Sequence, residues 1–334
     1  MIKQQSKIAI IGAGISGLAC ATTLQNAGLD VTIFEKSRGV SGRMSTRVNN
    51  KWQCDHGAQY FTASNAQFAS EVHRWQEAGV AKLWQPRLQM FDGIKFTDKT
   101  SLKYRYVGIP RQTSPAKFLA QNLNLLASTT INKVELINNQ WQLSSKEHGP
   151  LNHVFDVLIF AMPSPQAKVL LEPSAPKLAK IAASVVMQGC WSLMCCFNNQ
   201  LELPFDGLFV QNSLLSWVAR DNAKPSRALY NTAYSEIWVL HASSEWSEIY
   251  IDENADIVAE KMITEFVKIG GSIPQSYTTH LWRYADCANY STLGYIWDSS
   301  LNVGLCGDWL NGGKVQGAWL SGQLLAEQLL KTET

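Results

Sequence analysis

KIAIIGAGISGL, residues Lys7 to Leu18, and VTIFE, residues Val31 to Glu35, together spell out one supersecondary unit. Lys7–Ile11 is a short apolar run that ends at a glycine cluster, which predicts a buried parallel strand. From Ile15 to Asn26 the spacing is helical, with Leu18, Ala21 and Leu24 on one face, and Gly28 stops the run. Val31–Phe34 is rich in strand formers and leads into the acid Glu35. Strand, glycine turn, helix, strand and acid in about 30 residues make a complete βαβ unit.

Gly12-Ala13-Gly14-Ile15-Ser16-Gly17 fits the G-x-G-x-x-G pattern. The first glycine allows the tight turn. The second lets a pyrophosphate approach the backbone, and the third lets the helix pack on the strand. The helix N-terminus then turns N–H groups toward the diphosphate. Glu35 ends the second strand, where it can accept both ribose hydroxyls and would repel a 2′-phosphate. Two further features favour FAD over NAD. Arg38-Gly39-Val40-Ser41-Gly42-Arg43 follows directly and resembles the R-x-G-G-R segment of many flavin oxidases, a resemblance that implies a loop wrapping back on the diphosphate with Arg43 as its cation. Near the C-terminus, Cys306-Gly307-Asp308 ends a strand before a helix. This is similar to the place where flavoproteins of this kind bring an Asp to the ribityl and diphosphate. The resemblance implies that Asp308 does so and that the helix start at Val315 and Gln316 faces the flavin pyrimidine.

Working outward, Gln67–Ala78 and Asn254–Lys268 read as helices and Pro115–Leu126 as a third, capped by Ser114. Short strands are expected within Trp52–Phe61 and between Ala81 and Tyr106 (LQMF, IKF, LKYRY). A hairpin is expected around Asn138–Asn139. Val154–Phe160 and Leu301–Cys306 read as buried strands, with a closing helix at about Val315–Leu330. CWSLMCCF, LLSWVAR, EIWVLHA and THLWRYA are antiparallel candidates. The fold class expected is therefore α/β: a discontinuous Rossmann-like FAD-binding domain (1–75, 108–165 and 290–334) with an inserted antiparallel-sheet substrate domain (76–107 and 166–289).

Composition narrows the function classes. A net charge of +2 over 334 residues argues against a nucleic-acid partner. No apolar run reaches the roughly 18 residues that span a bilayer. No membrane partner and a cytoplasmic location are expected. Seven cysteines without a CxxC pair, and no H-x-x-H or H-E-x-x-H pattern, give no metal site and no redox disulfide. Twelve tryptophans are many, and most will fill cores.

Several segments resemble the renalase family: Asp55-His56-Gly57-Ala58-Gln59-Tyr60-Phe61, Ser216–Asp221, Trp238–Ala242, Trp282–Ala285, and Gly307-Asp308-Trp309 with Gly313–Trp319. The resemblance runs from about residue 6 to 330. It implies a p-hydroxybenzoate-hydroxylase-like fold and non-covalent FAD. It also implies an oxidase that takes hydride from 2- or 6-dihydro isomers of NAD(P)H and passes the electrons to O₂. The cofactor set is then Gly12, Gly14, Ser16, Gly17, Glu35, Lys36, Gly42, Arg43, Gly57, Ala58, Gln59, Val134, Gly307, Asp308, Val315 and Gln316. Tyr60, His241, Trp282 and Trp309 are the candidates for the substrate face, with Arg220 and Lys224 for substrate phosphates. The sequence departs from the family pattern at Arg111-Gln112-Thr113 and at Gln316, where an acid is expected. A dihydropyridine carries its own transferable hydride, so no general base is expected. The alternatives are an amine oxidase or desaturase on the same scaffold, and a protein holding FAD without catalysis.

Overall fold

β1 (Lys7–Ile11), α1 (Ile15–Asn26) and β2 (Asp30–Phe34) form over the segments expected of them. The computed structural model describes residues 5–99, 103–227 and 233–331. β1 and β2 pair in parallel with Ile10 opposite Ile33. Ile8, Ala9, Ile10 and Ile33 are fully buried, as a strand covered on both faces requires. The sheet runs Ile296–Asp298, Val303–Leu305, Val157–Phe160, β1, β2, Asn124–Leu126 from edge to edge. Its neighbours are parallel except at the Ile296–Asp298 edge. Strands from the start, middle and end of the chain thus build one sheet, the discontinuous α/β layout read from the motifs.

Two local expectations are corrected. Only Ser114–Leu119 of the third expected helix is helical, and Asn124–Leu126 is a strand beside β2. The open edge of β2 supplies backbone partners that outweigh a weak helical pattern, and the Asn124 amide also donates to Thr32 at 3.0 Å. Val154–Phe160 splits at Asp156. Gly149–Phe155 pairs antiparallel in a three-stranded sheet, and Val157–Phe160 enters the main one. Short helices follow Pro163 at Ser164–Leu171 and Pro176–Ala183. The hairpin turn at Asn138 and Asn139 is as expected, with φ of 51° and 60°, the left-handed pair of a primed turn.

The chain divides into two compact units. One comprises Met1–Arg43, Ala116–Met187 and Cys287–Thr334; the other comprises Met44–Pro115 and Gln188–Asp286. Residues 44–75 and 108–115, grouped from sequence with the nucleotide-binding part, pack within the second unit. That unit is built on a seven-stranded sheet ordered Ser276–Cys287, Met187–Phe197, Glu236–Ala242, Leu215–Arg220, Gly207–Val210, Leu88–Phe91, Phe96–Asp98. The helix Ala255–Lys268, capped by the Asn254 side chain, buries Val258, Met262 and Phe266 in one core with Trp238 and Leu240. Of the LKYRY candidate, Leu102 lies outside the described residues, and the strand present is Arg105–Gly108, paired with Ala81–Trp84. Among the described residues no helix is long and apolar enough to cross a membrane.

Candidate functional site

The three fingerprint glycines divide by what surrounds them. Gly12 has φ of +111°, and a Cβ there would lie 2.4 Å from the Ala161 carbonyl oxygen. A Cβ on Gly17 would lie 2.1 Å from the Gly12 oxygen. Both absences of a side chain serve the packing of the turn itself. Gly14 differs, because a Cβ there would meet nothing within 4 Å. It is the N-cap residue of α1, and no side chain caps that helix end. Two residues on, the Ser16 hydroxyl is buried with no hydrogen-bond partner among the described residues. An open glycine, an uncapped helix start and an orphaned hydroxyl at one spot suit an anion.

The segment after β2 folds back onto the glycine turn. The Ser41 N–H donates to the Ala13 carbonyl at 2.9 Å, and a Cβ on Gly42 would lie 3.5 Å from Gly14 Cα. Glu35 is buried, and its carboxylate accepts the Ala13 N–H and the Ser37 N–H, each at 2.8 Å. It therefore ties down the turn, and each oxygen keeps a lone pair for a further donor. Arg43 and Asp308, expected as separate contacts, form a bidentate ion pair at 2.9 and 2.5 Å. The carboxylate offsets much of the charge that Arg43 can offer a diphosphate.

The Gly307 N–H donates to Ser321 at 2.9 Å, which anchors the loop carrying Asp308 to the helix Lys314–Lys331. Gly322 lets that helix close on α1, since a Cβ there would lie 2.0 Å from the Ser16 carbonyl oxygen. Val315 is buried and Gln316 half-buried in the helix's first turn; Lys36 and Gly42 are exposed. Val134 lies in the core with Trp141 and Leu143. Trp309 is corrected outright. It is fully buried in that same core, and its indole N–H donates to the Met162 carbonyl at 3.1 Å. A ring with no exposed surface cannot face a substrate.

In the second unit the His56 carbonyl is a shared acceptor. Trp282 Nε1 donates to it at 2.9 Å, and His241 Nε2 lies 3.2 Å away. His280 completes the group, its ring 4.4 Å from Trp282 and 4.8 Å from His56. His56 stacks on Trp282 at 5.1 Å. Burial pushes the imidazoles down, His56 to about 3 and His241 and His280 each to about 4. All three are neutral at pH 7, so His241 bonds the carbonyl as the Nε2–H tautomer. Tyr60 stands apart from this group, 5.7 Å from the Trp217 ring and 6.2 Å from the Trp84 ring.

Asp55, Asp221, Lys224 and Arg227 are fully buried together. Arg227 donates to Asp55 through Nη2 at 2.6 Å and Nε at 3.1 Å. Lys224 reaches Asp221 at 3.0 Å and Asp55 at 3.3 Å. The two cations hold the Asp55 carboxyl down at about 2, whereas burial pushes Asp221 up. Lys224 also donates to the Gln59 side-chain oxygen at 3.0 Å, while the Gln59 amide donates to the Asp55 and Gly57 carbonyls at 2.6 and 3.0 Å. Gln59 thus locks the loop carrying Gly57 and Ala58. Two further expectations fall. Lys224 has no exposed surface, and Arg220 is paired with Glu236 at 2.7 Å. Neither is a cation open to substrate phosphates. Sequence reading missed His280 and Arg227. His280 sits two residues before Trp282 in an alternating strand, a signal that was there to use; nothing near Arg227 distinguishes it from a solvated loop charge.

The NAD(P)-binding Rossmann-like domain family matches residues 10–74. Protoporphyrinogen oxidase 2 of Arabidopsis thaliana is 38% identical over 64 residues, which is 19% of this chain and 13% of that protein. The 4,4'-diapophytoene desaturase of Staphylococcus aureus is 47% identical over 51 residues, 15% of this chain and 10% of that protein. These curated relatives are matched over no more than 13% of their own length. Among solved structures, cyclohexylamine oxidase from Brevibacterium oxydans superposes over 98% of this chain and 99% of its own with a TM-score of 0.74 at 12% identity. In these relatives the likeness in sequence covers a short segment, whereas the likeness in fold to cyclohexylamine oxidase spans the chain.

Proposed function

We propose that this protein is an FAD-dependent oxidoreductase, and specifically an oxidase of isomeric dihydronicotinamides. The observation that carries the reading is the cradle at Gly14 and Ser16, open and orphaned beside the carboxylate of Glu35. The α1 N-terminus and the Ser16 hydroxyl would hold the diphosphate, Glu35 a ribose, and the Arg43–Asp308 pair the ribityl side. Bound FAD supplies a two-electron acceptor that dioxygen can reoxidise. The overall reaction converts a dihydronicotinamide, O₂ and a proton to NAD(P)⁺ and hydrogen peroxide. Supporting the donor class, the histidines next to Trp282 are poor bases, at about 3 and about 4. A dihydropyridine needs none, so Trp282 and His241 would serve to position a flat ring and its carboxamide, with Tyr60 acting from its separate place beside Trp84 and Trp217.

The second reading is an amine oxidase, which the fold likeness to cyclohexylamine oxidase and the gathering of Tyr60, Trp84 and Trp217 favour. Against it, the Arg105 guanidinium already lies 5.2 Å over the Tyr60 ring, where an ammonium ion would compete with it. A desaturase has in its favour only the 51-residue segment shared with 4,4'-diapophytoene desaturase, and a non-catalytic FAD carrier has no observation of its own. Anaerobic mixing with borohydride-reduced NAD⁺, a source of the 2- and 6-dihydro isomers, decides the matter. Rapid bleaching of the flavin absorbance is expected. Bleaching by primary amines and not by the reduced nicotinamides would transfer the assignment to the second reading.

A further inference from the structure

The second unit holds a cavity of about 780 Å³, lined by Trp84, Arg87, Lys99, Lys103 and Arg105 with Asp98 as its one acid. Arg87 is engaged by Asp206 at 2.7 Å, and Asp98 accepts from the Gln89 amide at 2.9 Å. Arg105 is different. It is 8% exposed, and its Nε is buried with no hydrogen-bond partner among the described residues. A guanidinium carries five donors in a fixed fork. Among the described residues one hydrogen bond is seen, from Nη1 to the Lys103 carbonyl at 3.2 Å. Arg105 stands opposite Trp84 in strand register, and its guanidinium packs over Tyr60. Lys99 is exposed, its amine 4.8 Å over the Phe209 ring. The cavity therefore joins a desolvated, under-used cation, exposed lysines and an indole wall.

We infer that this cavity is a nucleotide-phosphate subsite, in which Arg105 and Lys99 take the phosphates of a dinucleotide substrate. Planar bidentate donors suit phosphate oxygens, and lysine adds a point charge at the rim. The volume suits a nucleotide-sized group. This assignment rests on the proposed dihydronicotinamide activity for its choice of ligand, and it replaces Arg220 and Lys224, whose charges are spent internally. It makes the enzyme selective for a dinucleotide over a bare dihydropyridine ring.

The test is calorimetric titration of the FAD-loaded protein with ADP-ribose, alongside oxidation of two donors: borohydride-reduced NAD⁺ and a phosphate-free reduced N-alkylnicotinamide. Arg105→Gln and, to guard against misfolding at the buried position, the exposed Lys99→Gln are each compared with the parent. The expected result is ADP-ribose binding that weakens about tenfold or more in Arg105→Gln and less in Lys99→Gln. Binding should also weaken with rising salt. KM for the dinucleotide should rise in Lys99→Gln with kcat held, and KM for the phosphate-free donor should not move. Oxidation of the dinucleotide with no ADP-ribose binding, or with KM unchanged in both variants, overturns the subsite and leaves the activity standing. Variant-sensitive ADP-ribose binding without oxidation of either donor does the reverse.

Discussion

The glycine turn of the first unit and the buried charge cluster of the second are both built around carboxylates, yet they came into view in opposite ways. Glu35 acts over a short span of chain, accepting N–H groups from Ala13 and Ser37. Asp55 draws its partners from Thr46, Lys224 and Arg227. The first arrangement repeats wherever a strand, a tight turn and a helix meet, so it leaves a spacing in the sequence. The second exists only because distant segments pack, and each of its residues taken alone looks like a surface charge. A local motif is legible because its geometry is fixed by a few neighbouring dihedrals. A network closed across more than a hundred residues is not.

The widest gap between the two regions should be in stability. Asp55→Ala leaves Lys224 and Arg227 buried with one carboxylate between them, a loss of about 3–5 kcal/mol. Glu35→Ala removes a carboxylate at the turn and should weaken FAD retention while costing less stability. Denaturant titration of both variants measures the contrast; equal midpoints would erase it.

A second, smaller effect concerns acid. In the unfolded chain the histidines titrate near 6.5, but in the fold His56 is pushed to about 3 and His241 and His280 to about 4. Protons therefore bind the unfolded chain more readily. Stability is whole above about pH 6.5 and falls as the pH drops toward 4. The unfolding midpoint should decline over that window, and His241→Asn should flatten the decline. A midpoint level from pH 7 to 5 would contradict the neutral histidine group.

The third prediction divides the fingerprint itself. Gly17→Ala forces a Cβ to 2.1 Å from the Gly12 oxygen and should cost about 1–3 kcal/mol, with or without FAD. Gly14→Ala meets no protein atom within 4 Å, so the FAD-free protein should melt as the parent does while FAD affinity drops. Equal destabilisation in the two variants would mean that Gly14 serves packing and not the cofactor.

The smallest effect is expected at Ser16. Its hydroxyl has no partner among the described residues, so Ser16→Ala should leave FAD-free stability unchanged and weaken FAD binding by about 2- to 12-fold. A loss of stability without FAD would place the hydroxyl in the protein's own hydrogen bonding.

The sequence alone determined the βαβ unit and the discontinuous α/β layout. It also determined the Asn138–Asn139 hairpin. Each follows from short-range rules: apolar periodicity, glycine conformations, and an acid at a set distance along the chain. Tertiary structure alone decided that Trp309 is core, that Arg43 and Asp308 are partners, and that Asn124–Leu126 joins a sheet. It likewise decided that Lys224 is spent internally while Arg105, in a cavity wall, has no hydrogen-bond partner for its Nε among the described residues. The physical reason is common to all of these. Whether a ring or a charge faces ligand, core or counter-ion depends on which remote segment desolvates it, and desolvation by remote segments has no fixed spacing along a chain.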